Sequence, residues 1–238
     1  MTDIATTQHP TLADNYQEVL SRIRRAEAAC GRKTGATGLL AVSKTRSAAE
    51  IRALAALGQH RFGENYLQEA EAKIEQLRDL PLEWHFIGRI QSNKTRTIAE
   101  LFDWVHSLCS LKHARRLSAQ RPQHLPPLNV CLQVNTSGEA SKDGHSPDAL
   151  AALMDEYAAL PNLVVRGLMT IPAPAQGLER QRQPLCLLRT LRDSLRSERL
   201  PLETLSMGMS DDLEAAIMEG ATLVRIGTAI FGPRAYNH

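Results

Sequence analysis

From residue 39 onward, short apolar runs alternate with stretches whose apolar residues return every three or four positions. The first pattern is that of buried parallel strands and the second that of helices with one face against a core. The runs predict strands at 39–43, 60–63, 84–87, 103–107, 128–134, 163–168, 204–206 and 222–226. Helical periodicity fills the gaps at 48–57, 66–77, 91–101, 111–120, 146–158, 179–198 and 211–218. Ser146-Pro147-Asp148 reads as an N-cap followed by proline at the first helical position. Ahead of the first strand, Leu12, Tyr16, Val19, Leu20 and Ile23 predict an amphipathic helix over 11–30 that could close the bottom of a barrel.

Eight strand–helix alternations without a linker or low-complexity break predict an α/β fold, a (β/α)8 TIM barrel, better than a doubly wound sheet. The expectation is a tail at 1–10 and one barrel domain over 11–238 with an extra N-terminal helix. The proline-rich spots at 126–127 and 172–174 are too short for interdomain linkers, and 173–183 reads as a surface loop.

Composition narrows the function. With 28 Lys and Arg against 26 Asp and Glu the net charge is +2, so no global field points to nucleic acid or an anionic membrane. Cys30, Cys109, Cys131 and Cys186 form neither a C-x-x-C pair nor a metal-binding cluster with histidine. The polar N-terminus lacks the basic-then-apolar order of a signal sequence, and no apolar stretch approaches transmembrane length. The expectation is a cytoplasmic protein with reduced thiols.

The chemistry gathers at the carboxyl ends of the predicted strands, where barrels carry their sites. Lys44 ends the first run, just before the capping box Ser47-Ala48-Ala49-Glu50. It is either an amine for Schiff-base formation or a lysine snorkelling off a strand end. Residues 204–212 pass from the seventh strand through a turn at Gly208 into a helix expected to be capped by Ser210. The eighth strand ends Val224-Arg225-Ile226-Gly227-Thr228. Loops after strands seven and eight form the recurrent phosphate site of barrels, although Gly208 and Gly227 also fit ordinary loop turns. Arg225 and Gly227 share one face of their strand, so an inward Arg225 needs a buried carboxylate, a ring nitrogen or a phosphate as partner. Glu64 and Asn65 are expected at the mouth after strand two. His85 lies inside strand three, where a hydrogen-bonded core role is the ordinary one. Residues 89–96 read as a solvated basic helix face.

These segments resemble the pyridoxal phosphate homeostasis protein family, single-domain proteins related to the barrel of alanine racemase. The resemblance rests on Ala41-Val42-Ser43-Lys44, Phe62-Gly63-Glu64-Asn65, His85-Phe86-Ile87-Gly88 with Gln91-Ser92-Asn93-Lys94, Gly167-Leu168-Met169, and the runs 205–212 and 224–232. It departs from the family pattern at Arg89-Ile90, where Pro-Leu is usual, and at Thr136-Ser137-Gly138 in a variable loop. The resemblance implies pyridoxal 5'-phosphate (PLP) held as a Schiff base on Lys44. Ser206, Met207, Gly208, Gly227 and Thr228 would hold the phosphate side, Arg225 the pyridine nitrogen, and Asn65 and His85 the ring. Lys142 is the first suspect for a secondary site.

Arginine at the ring nitrogen disfavours its protonation and weakens the electron sink. Relatives that racemise use a second base from a separate C-terminal domain, which the end of this chain at His238 leads one to expect is absent. The expectation is a monomeric PLP carrier without an established catalytic activity, able to serve PLP-dependent apoenzymes. The alternatives are a PLP-dependent amino-acid racemase and a phosphate-ligand barrel with an aldolase-type lysine.

Overall fold

A computed structural model describes residues 10–139 and 143–233. Lys142 and most of the expected N-terminal tail lie outside the described residues. Eight parallel strands close into a barrel in sequence order: β1 (Gly38–Val42), β2 (Arg61–Glu64), β3 (Glu83–Phe86), β4 (Trp104–Leu108), β5 (Leu128–Gln133), β6 (Leu163–Met169), β7 (Thr204–Ser206) and β8 (Leu223–Ile226). Closure is set by the register of β1 on β8, where Leu40 pairs with Arg225 and Ala41 with Ile226. The expected (β/α)8 barrel is therefore the observed one.

The helices α1 (Leu12–Ala29), α2 (Ala48–Ala56), α3 (Leu67–Gln76), α4 (Thr95–Leu101), α5 (Leu111–Gln120), α6 (Pro147–Ala158), α7 (Leu178–Leu195), α8 (Leu213–Met218) and α9 (Thr228–Phe231) surround it. α1 does not close the bottom of the barrel as expected. It packs on the outer ring against α8, α9 and α2 and buries Tyr16, Val19, Ile23 and Ala26 there. α8 is only six residues long, and α1 lies along it on the outside of the ring. Arg32, just after α1, donates to the carbonyls of Ile217 and Ala221, and Asn15 to that of Ile230.

The main hydrophobic cluster lies between the outer face of the sheet and the helices, with Leu39, Ala41, Ile51, Leu54, Val130 and Tyr157 among its members. Strand alternation sends the intervening side chains inward. That interior is unusually polar: His85, His106, Ser206 and Arg225 are all at most 4% exposed.

Candidate functional site

At the carboxyl ends of β1, β2 and β8 a cavity of about 570 Å³ opens between the loops. Small-molecule sites span roughly 300–1,000 Å³. Its walls carry Lys44, Asn65, Ser210, Arg225, Gly227 and Thr228, together with Val42, Ile87, Ile171, Met209, Asp211, Ala229 and Arg22. Five expected site residues, Lys44, Asn65, Arg225, Gly227 and Thr228, thus converge from three strand ends.

Lys44 is half-buried and stands two residues past the end of β1. The residues on both sides of it are tied to α3. Ser43 Oγ donates to Glu64 Oε1 at 2.6 Å, and Lys73 Nζ donates to both Ser43 O and Glu64 Oε1 at 2.8 Å. On the other side Thr45 N donates to Glu69 Oε2 at 2.9 Å. Thr45 holds φ at +63°, a conformation that costs a β-branched residue energy and needs support from its surroundings. Glu64 therefore does not sit at the mouth as expected. Strand alternation points it away from the cavity, where burial raises its carboxyl pKa against the opposing pull of Lys73. Lys73 and Glu69 gave no sequence signal, because their distance along the chain conceals their place beside Lys44.

Arg225 rises from inside β8, fixed by Nη1 to Ser206 O at 2.6 Å and Ser206 Oγ at 2.9 Å, and by Nη2 to Thr170 O at 2.8 Å. Among the described residues these partners are two carbonyls and a hydroxyl, with no carboxylate in hydrogen-bond contact. Burial lowers its pKa to about 10, still a cation at neutral pH.

Of the phosphate-side candidates, Gly227 and Thr228 line the cavity and the three at the end of the seventh strand do not. Ser206 is fully buried beneath Arg225, with its hydroxyl engaged by Arg225 and His106, and Met207 joins the hydrophobic cluster. Neither residue, nor Gly208, nor His85 lines the cavity. The seventh strand ends at Ser206, so the chain reaches the cavity only at Met209, Ser210 and Asp211. Ser210 is also not the helix cap it was expected to be. α8 starts at Leu213 after Asp212, whose Oδ1 accepts from Met209 N at 2.6 Å, and Ser210 lies on the cavity wall. Arg22 of α1 steadies this loop by donating to Ser210 O at 3.1 Å and to both oxygens of Glu214.

The residues fit PLP in three respects. Lys44, Arg22 and Arg225 outnumber Asp211 on the wall, which suits a phosphate. Asn65 Oδ1 is buried without a hydrogen-bond partner, so the amide awaits one. At Gly227 an added Cβ would lie 3.1 Å from Val42 O, so glycine lets the turn into α9 pass close against β1. At the start of α9 the N–H groups of Thr228 and Ala229 precede the first bonds of the helix, which run from Ile230 and Phe231 to Gly227 O.

Fold and site together define a barrel protein with an amine and a fixed guanidinium on one small-molecule cavity. The sequence profile of the family described as alanine racemase, N-terminal domain, matches residues 11–235. The chain is 61% identical to the pyridoxal phosphate homeostasis protein of Pseudomonas aeruginosa, over 95% of this chain and 97% of that one. It is 48% identical to the protein of the same name from Escherichia coli, over 95% and 98% of the two chains. The solved structure of PipY from Synechococcus elongatus with PLP bound superposes with a TM-score of 0.83 at 37% identity, covering 93% of this chain and all of that one. The chain belongs to the pyridoxal phosphate homeostasis protein family, within the alanine racemase N-terminal domain fold.

Proposed function

We propose that this protein holds PLP in the cavity described above and serves intracellular PLP homeostasis by storing the cofactor and releasing it to apoenzymes. The observation that carries the reading is the convergence of Lys44 and Arg225 on one cavity, in a chain whose relatives are named for PLP homeostasis and whose structural neighbour PipY was solved with PLP. PLP supplies an aldehyde that condenses with a lysine amine with loss of water. Lys44 provides the amine. Ser210, Thr228 and the first turn of α9 provide hydrogen bonds for the phosphate, Asn65 an amide beside the ring, and Arg225 a cation for the pyridine nitrogen.

The same wall argues for holding over turnover. A guanidinium that stays charged discourages proton transfer to the ring nitrogen, which weakens the electron withdrawal that racemisation requires. Among the described lining residues no Tyr, His or Cys offers a second base, and Asp211 is the lone carboxylate. No helix among the described residues is long and apolar enough to cross a membrane, and their four cysteines are unpaired. Free thiols suit the reducing cytoplasm, where we place the protein as a monomer.

Solvent-deuterium exchange at the alpha carbon of L-alanine, followed by NMR with the PLP-loaded protein, tests the carrier reading. Exchange no faster than with free PLP is expected. Rapid exchange with racemisation would replace the carrier with an enzyme.

A further inference from the structure

Below the cavity an unbroken line of hydrogen bonds runs through the barrel interior. Arg225 Nη1 donates to Ser206 Oγ, and that hydroxyl lies 2.8 Å from His106 Nδ1. His106 Nε2 lies 2.8 Å from His85 Nδ1, and His85 Nε2 lies 2.8 Å from Glu83 Oε1. The line crosses β8, β7, β4 and β3. It ends at the opposite rim, where partly exposed Glu83 also pairs with Arg61 at 3.1 Å. Both imidazoles are at most 1% exposed, and the His85 ring stacks on Trp104.

The two ends dictate how the protons are arranged. A guanidinium has only donors and an ionised carboxylate only acceptors. Ser206 Oγ accepts from Arg225 and could accept once more, so the carboxylate end sets the direction: with both imidazoles donating from Nε2, the Ser206 proton goes to His106 Nδ1. His106 then donates from Nε2 to His85 Nδ1, and His85 donates from Nε2 to Glu83. Each imidazole is neutral, with its proton on Nε2. In the reverse direction the Ser206 proton would lose its acceptor in the line, and a His85 lone pair would face the carboxylate. An extra proton on His106 would take away the acceptor of the Ser206 hydroxyl proton, and one on His85 would set N–H against N–H.

The surrounding charges agree. Burial lowers the pKa of both imidazoles; His85 and Arg225 lower that of His106 further, whereas Glu83 and Asp103 oppose the shift at His85 and Arg61 adds to it. The hydrogen bond from His85 lowers the pKa of Glu83, so the carboxylate end stays ionised.

We propose that His85 and His106 are positioning residues. Through Ser206 they lock the orientation of Arg225, so that the cavity floor presents a fixed cation with no mobile proton. This gives His85 a place in the support of the site in the absence of any face on the cavity. The relevance to the ligand rests on the PLP reading, whereas the proton arrangement does not.

The test uses the 15N-labelled protein without PLP. Two-bond 1H–15N correlation spectra at pH 7 are expected to show His85 and His106 as neutral Nε2–H tautomers, and the Arg225 Nη–H signals as slowly exchanging. His106→Leu removes the acceptor of the Ser206 proton and should broaden the Arg225 signals. In PLP-loaded protein it should also speed PLP release about 5-fold, the equivalent of one neutral hydrogen bond. His106→Asn, whose amide oxygen can stand in for Nδ1, should restore both readouts. Ser206→Ala cuts the same link with a smaller change and serves if His106→Leu fails to fold. An Nδ1–H tautomer or an imidazolium at either position would overturn the arrangement. Unchanged Arg225 signals in the variant that folds would overturn the positioning role. Failure of the protein to bind PLP would defeat the PLP reading alone, because the tautomers and the Arg225 signals are read without it.

Discussion

Two ties to α3 bracket Lys44, so its position depends on Ser43, Glu64, Lys73, Thr45 and Glu69 as much as on β1. Lys44→Ala removes the amine and leaves those ties in place. It should abolish the visible absorption of the PLP-loaded protein while leaving the unfolding free energy within about 0.5 kcal/mol of the parent's. A persistent visible band would assign the amine to another lysine. Ser210→Ala and Thr228→Val each remove a hydroxyl from the cavity wall. A hydrogen bond to a charged group contributes roughly 1.5–3 kcal/mol, so equilibrium dialysis should show PLP affinity reduced by roughly 10- to 150-fold in each variant. Parent-like affinity in both would displace the phosphate from this wall. At this scale the sequence made Lys44, Asn65, Arg225, Gly227 and Thr228 legible, because strand ends mark the mouth of a barrel. Ser210 escaped as a cavity-lining residue because a serine before two aspartates and an apolar run looks like a helix cap.

The elements themselves were legible wherever an apolar run was bounded by turn residues, and even the three-residue β7 falls at its expected place. The errors have local causes. β2 extends to Glu64, which sequence reasoning assigns to the mouth because it is charged, but Lys73 and Ser43 supply the partners that let it stay buried. α9 has four residues, too few to show any periodicity. The turn after β7 depends on Gly208, which has φ of +97° and whose added Cβ would lie 2.5 Å from Ala216 Cβ. Gly208→Ala should therefore destabilise the fold by about 1–3 kcal/mol in urea unfolding and also weaken PLP retention, since the 209–211 segment would move. Unchanged stability would show that the turn tolerates a side chain.

For the whole molecule, closure of the barrel followed from counting alternations, whereas the placement of α1 on the outer ring, against α8, α9 and α2, is set by tertiary packing. The polar interior was equally hidden, since His106 sits in an ordinary apolar strand. It has a consequence for stability. The folded pKa values of His85 and His106 lie below the unfolded value of about 6.5, so their contribution is intact above that pH and lost as the pH falls below it, by at most about 1.4 kcal/mol per unit per group. Glu64 and Asp212, both raised by burial, act in the opposite sense, so the comparison is made against His106→Asn, which retains them. The parent's advantage in urea unfolding should be constant from pH 7.5 to 6.5 and shrink by pH 5.5; an advantage constant to pH 5.5 would contradict a buried neutral His106. The central claim, that this chain holds PLP covalently through Lys44, is tested most directly by loading the protein with PLP, reducing it with borohydride and mapping the modified peptide by mass spectrometry. The account predicts loss of the visible band on reduction and a pyridoxyl-phosphate adduct on Lys44; a protein left unmodified, or modified only elsewhere, would contradict it.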